Sequence, residues 1–123
     1  MLGIKLKKII CVLILLLTAG LFSACSKVSD EDLKKAREAV ANGALIVDVR
    51  TPKEFSEKHI VGAVNLPIEE IMKGRINLPK NKEIVLYCRT GSRSSASAKV
   101  LKEQGWSVYD VATQSDWERK IKN

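Results

Sequence analysis

Cysteine, histidine and aromatic residues are all scarce in this chain of 123 residues, and each scarcity excludes a class of function. Of three cysteines, Cys11 and Cys25 lie in or beside an apolar N-terminal stretch, which leaves Cys88 as the only free thiol of the folded part and no internal disulfide framework. His59 is the only histidine, and one Cys with one His cannot build a metal cluster. Neither a metal nor a cofactor is expected. Only 5% of the residues are aromatic, and the basic residues alternate with acidic ones without forming a run. The chain therefore lacks both the stacking platform and the basic stripe of a nucleic-acid binder. The apolar run Ile9–Phe22 is short for a membrane-spanning helix, which needs roughly 18 residues.

What that N-terminus does have is a basic start (Lys5, Lys7, Lys8), a short apolar stretch and small residues at Ser23 and Ala24. This is the layout of a secretory signal peptide. Leu21-Phe22-Ser23-Ala24-Cys25 resembles the lipobox of bacterial lipoproteins, although Phe22 holds the place usually taken by Leu. The resemblance implies a signal peptide over 1–24, lipidation of Cys25, a short tether over 25–28 and one domain over 29–123. The expected location is extracytoplasmic, with a lipid anchor in a bacterial membrane. A monomer is expected.

In the mature part, Ser29 reads as an N-cap, with Asp30, Glu31 and Asp32 in the first helical turn. Leu33, Ala36, Arg37 and Val40 recur at helical spacing up to Asn42-Gly43. Ala44–Val47 is a short apolar run that predicts a strand buried on both faces. Thr51-Pro52-Lys53-Glu54 is a capping box with proline at the first helical position. Further strands are expected at Ala63–Pro67, Glu83–Cys88 and Ser107–Val111. Helices are expected at Ile68–Lys73, at Ser94–Gln104 with Ala96, Val100 and Leu101 on one face, and at Ser115–Ile121. Strands alternating with helices predict an α/β domain with a parallel sheet covered on both sides.

Cys88 ends the strongest strand, and Arg89-Thr90-Gly91-Ser92-Arg93 leads from it into a helix. Ligands of open α/β sheets bind at such strand ends. A glycine-bearing strand-to-helix loop can turn successive N–H groups inward as an anion nest. A thiolate is the anion that such a loop stabilises, and Arg89 and Arg93 can fork onto oxyanions. A free cysteine often merely packs, but two arginines and a glycine are poor packing partners. The pattern points to a nucleophilic thiolate in an anion-binding pocket.

Three ordered segments carry a family resemblance: Ala44–Arg50, Glu54-Phe55 with His59–Pro67, and Glu83–Ser94. Together they resemble a single-domain rhodanese over most of the mature chain. The resemblance implies a rhodanese-like α/β fold with about five parallel strands and helices on both faces. It also implies a thiosulfate sulfurtransferase type of activity. Sulfane sulfur would pass from a small anionic donor such as thiosulfate to a thiophilic acceptor, cyanide or a thiol, through a persulfide on Cys88. Arg89, Thr90, Gly91, Ser92 and Arg93 would cradle that persulfide, while Asp48 and Arg50 would support the loops around it. His59 would belong to a structural turn.

The sequence departs from the family where Ala112 and Thr113 replace a usual Gly-Gly pair near the site, and where Lys58 and Val61 flank His59-Ile60. Two rival readings compete with sulfur transfer. Cysteine phosphatases and arsenate reductases place an arginine six residues after the cysteine, where this chain has Ser94 and carries Arg93 one position earlier. The other rival is a non-catalytic binding module, against which the retention of Cys88 and both arginines argues.

Overall fold

The computed structural model describes residues 28–122. The leader, Cys25 and most of the tether lie outside the described residues. Helix α1 (Asp30–Ala41) is followed by β1 (Leu45–Asp48), α2 (Pro52–Glu57), β2 (Val64–Asn65) and α3 (Ile68–Met72). Then come β3 (Ile84–Cys88), α4 (Ser92–Glu103), β4 (Val108–Thr113) and α5 (Gln114–Glu118). Two helix starts form as the sequence predicts. The Ser29 hydroxyl accepts from the Asp32 N–H, and Thr51 and Glu54 close a reciprocal capping box.

Among the described residues the sheet has four strands, all parallel, in the order β2-β1-β3-β4. These are the four that hydrophobic patterning marks, where the family resemblance implies about five. All residues of β3 are buried, because its two faces serve separate cores. Val85 and Tyr87 pack with Leu33 and Ala36 of α1, Ile46, Ile60 and Val111. Ile84, Leu86 and Cys88 point the other way, toward Ile71 of α3 and Ala98 and Leu101 of α4. This two-residue alternation puts a helix layer on each side of one sheet.

The sequence reading of α4 needs correction on two points. The helix begins at Ser92, two residues earlier than expected, and Ala96 is exposed. The buried stripe is instead Ser94, Ser97, Ala98 and Leu101. Small hydroxyl side chains face the sheet here, and a search for apolar periodicity passes over them. The final helix is also shorter than expected, ending at Glu118.

The chain runs from β1 outward to β2, then crosses β1 to continue at β3 and β4. The strand order therefore reverses between β1 and β3, whose C-terminal ends carry Asp48 and Cys88. Crevices form at such switch points because the following loops diverge.

Candidate active site

Cys88 closes β3 with a relative exposure of 2%. Its Sγ accepts the backbone N–H of Gly91 at 3.0 Å. The thiol donates toward Ser94 Oγ at 3.6 Å, and the Ser94 hydroxyl donates to the Gly91 carbonyl at 3.1 Å. Ser94 is fully buried, so its hydroxyl is confined to these partners. Sequence reasoning used Ser94 only as a spacing marker. Its burial beside Sγ follows from helix α4 starting at Ser92, which turns the third residue of the helix back over the strand end.

Helix α4 carries no side-chain cap, unlike α1, α2 and α5, which use Ser29, Thr51 and Thr113. Its N-cap is Gly91, held at φ +97°. The first-turn N–H groups that a capping oxygen would satisfy are thus left for an anion, at the positive end of the helix dipole. This end of the helix meets the thiol.

The two arginines of the loop differ in placement. Arg93 grips Glu54 with both guanidinium nitrogens, at 2.7 and 3.0 Å. Arg89 is largely exposed and lies 3.9 Å from the same carboxylate. Glu54, expected from sequence only to cap α2, therefore also locks that helix to the active loop. The hydrogen bonds from Arg93 hold its carboxyl at about 2, far below the ordinary 4.5. A depressed carboxyl contributes stability above its ordinary range and loses it as protons bind. Acidification from about 4.5 to about 2 should therefore weaken the fold by on the order of 1–2 kcal/mol, the solvent at the rim screening part of the interaction. Denaturation midpoints measured across that interval should show this loss, and Glu54→Gln should flatten it.

Beneath the site, Asp48 is fully buried at the end of β1. Its carboxylate accepts the Arg50 backbone N–H at 2.9 Å and the Arg50 guanidinium at 3.0, 3.0 and 2.7 Å. Arg50 reaches on to the Lys58 carbonyl at 2.5 Å and lies over the Tyr87 ring, 5.6 Å from its centroid. The Tyr87 hydroxyl accepts the Ile60 N–H at 3.0 Å, and burial pushes the phenol up to about 12. Asn65 donates to the carbonyls of Asp48 and Arg50. These bonds join the end of β1, the segment between α2 and β2, Asn65 of β2 and Tyr87 of β3 into one brace.

His59 is exposed, stacked on Phe55 with ring centroids 3.8 Å apart, and its Nδ1 lies 2.7 Å from the Phe55 carbonyl. Among the described residues, the hydrogen-bond partners of Cys88 Sγ are Gly91 and Ser94, and no cluster of His, Cys, Asp and Glu could hold a metal ion.

Ala112 and Thr113 shape the wall opposite the loop. Between Leu86 and Cys88 the register shifts, so that Leu86 pairs with Asp110 and Cys88 with Thr113. The extra residue on β4 makes a bulge, and Ala112 takes φ +60° there, with its N–H bound to Asp110 Oδ1 at 2.9 Å. A Cβ built on Gly91 would stand 3.3 Å from Ala112 Cβ. A groove of about 1060 Å³ runs beside the loop, with Thr90, Gly91 and Ser92 on one side and Asp32, Asp110 and Asp116 among its other walls.

The family model of the rhodanese-like domain matches residues 29–113. A sulfurtransferase of Allochromatium vinosum is 35% identical over 81 residues, covering 66% of this chain and 75% of that protein. A thiosulfate sulfurtransferase of Escherichia coli is 34% identical over 69 residues, 54% of this chain and 65% of that one. Among solved structures, a rhodanese-related protein of Thermoplasma volcanium superposes with a TM-score of 0.59 at 29% identity, covering 74% of this chain and 88% of the other.

Proposed function

This chain belongs to the rhodanese-like domain family, and on that premise we propose that it is a sulfurtransferase that carries sulfane sulfur as a persulfide on Cys88. The observation that supports this most directly is the Gly91 N–H directed at Cys88 Sγ from the uncapped start of α4. That arrangement favours negative charge on a sulfur at this point, both before and after transfer. In the forward step the Cys88 thiolate attacks the outer sulfur of a donor, forming a new S–S bond while the donor's own bond breaks. With thiosulfate the leaving group is sulfite. A thiophilic acceptor, cyanide or a thiol, then removes the outer sulfur and restores the thiolate. Atoms and electrons balance without a redox partner.

Arg89, Thr90, Gly91, Ser92 and Arg93 form the cradle in this reading, with Asp48 and Arg50 bracing it from below. Ser94 joins them, because its hydroxyl can turn from the Gly91 carbonyl toward a charged sulfur. Lipidation at Cys25 and anchorage outside the cytoplasm complete the proposal, on the sequence pattern alone.

Purified protein treated with thiosulfate should gain the mass of one sulfur atom on the peptide that contains Cys88. Cyanide should then discharge it as thiocyanate. An adduct on another peptide, or none with any sulfane donor, overturns the assignment and leaves a binding module in its place.

A further inference from the structure

We propose that Glu54 sets the donor preference of this site, by cancelling the arginine charge that would draw in an inorganic dianion, so that an organic persulfide loads Cys88 in preference to thiosulfate. This inference rests on the sulfurtransferase reading and concerns only which donor that site accepts.

The argument begins with the charges. The attacking thiolate and the Glu54 carboxylate are negative, while Arg93 and Arg89 are positive and both face Glu54, at 2.7 and 3.9 Å. Asp48 and Arg50 cancel each other at 2.7 Å. The side chains of the pocket therefore sum close to neutral when the thiolate is ready, and that thiolate already engages the positive end of α4, so a thiosulfate dianion meets little further attraction there. The groove beside the loop sets Asp32, Asp110 and Asp116 against Lys102, so it offers an inorganic dianion no net positive surface either.

Shape acts in the same direction. Cys88 is almost wholly buried. The transferable sulfur of thiosulfate is bonded to a broad sulfonate head. That of an organic persulfide is bonded to a slim divalent sulfur on a flexible stem. In the step itself the thiolate bonds to the outer sulfur of RS–SH, the donor S–S bond breaks, and RS⁻ leaves with the electron pair. The outer sulfur keeps its proton or yields it to solvent.

The test is single-turnover loading of the reduced full chain, followed by mass, with cysteamine persulfide, which carries no net negative charge, and with thiosulfate. Wild type should load from the persulfide at least about tenfold faster, and its thiosulfate rate should change little with ionic strength. Glu54→Gln keeps a side chain that serves a capping box but loses the charge that holds Arg93. It should move the ratio of the two rates about fivefold toward thiosulfate and make thiosulfate loading fall with salt. A purely structural role for Glu54 would lower both rates together and leave the ratio and the salt response where they were. That outcome overturns the inference, as does wild type that prefers thiosulfate or loads from it with a steep salt dependence. The salt series on wild type decides the matter even if the variant does not fold. Absence of loading from both donors fails the sulfurtransferase reading itself, and the inference with it.

Discussion

Arg50→Ala should lower the free energy of unfolding by about 3–5 kcal/mol, the usual cost of leaving one member of a buried ion pair without its partner. Asp48 is fully buried, and after the change its carboxylate would keep only the backbone N–H of residue 50. The three guanidinium contacts, the bond to the Lys58 carbonyl and the contact over Tyr87 would all go. Because these tie the end of β1 to the segment after α2 and to Tyr87 of β3, the loss should be global and cooperative. Urea denaturation followed by circular dichroism would measure it. Adding Asp48→Asn should restore part of the loss, since a neutral amide tolerates burial better than an orphaned charge. A loss below about 1 kcal/mol for Arg50→Ala would mean that the pair is no more than a surface bridge.

That brace also marks how far the sequence could be read. Asp48 and Arg50 stand two residues apart, so a supporting role after β1 was legible from the family resemblance. The geometry was not, because Lys58, Asn65 and Tyr87 reach the brace only through the order of the strands. Likewise the capping box at Thr51 and Glu54 is local chemistry and was visible, whereas the grip of Arg93 on Glu54 joins residues from different loops. Strands β1 and β3 were legible because continuous apolar runs have few alternatives. The face of α4 was misread because the polar Ser94 and Ser97 are buried with partners of their own, Ser94 beside Cys88 Sγ at the strand end and Ser97 on the Arg93 carbonyl of its own helix. Cys88 and its glycine-bearing loop could be found because the chemistry is concentrated in seven consecutive residues, Cys88–Ser94. Ala112 and Thr113 drew notice only as departures from a family pattern. That a bulge puts Ala112 in left-handed backbone against Gly91 depends on strand register, which no local window contains.

Gly91→Ala should test this contact with an effect on both stability and chemistry. Gly91 has φ +97°, a conformation that L side chains rarely adopt, and the strain alone costs about 1–2 kcal/mol. The new methyl would also stand 3.3 Å from Ala112 Cβ, a contact tight enough that something must give. Ala112 has little freedom to retreat, because Asp110 holds its N–H at 2.9 Å within the bulge. The loop should shift instead and take the Gly91 N–H away from Cys88 Sγ. The expected result is a loss of about 2 kcal/mol in stability and of about tenfold or more in the rate of sulfur loading, the latter because an aligned backbone donor is removed from a developing anion. Ala112→Gly separates the two causes. Alone it should stabilise the fold by up to about 1 kcal/mol, since glycine occupies a positive φ without strain. Combined with Gly91→Ala it should relieve the methyl contact but not the strain at residue 91, so stability recovers in part while sulfur loading stays low. Loading at the wild-type rate in Gly91→Ala would show that this N–H does not hold the sulfur anion, and the uncapped helix end would lose its place in the mechanism.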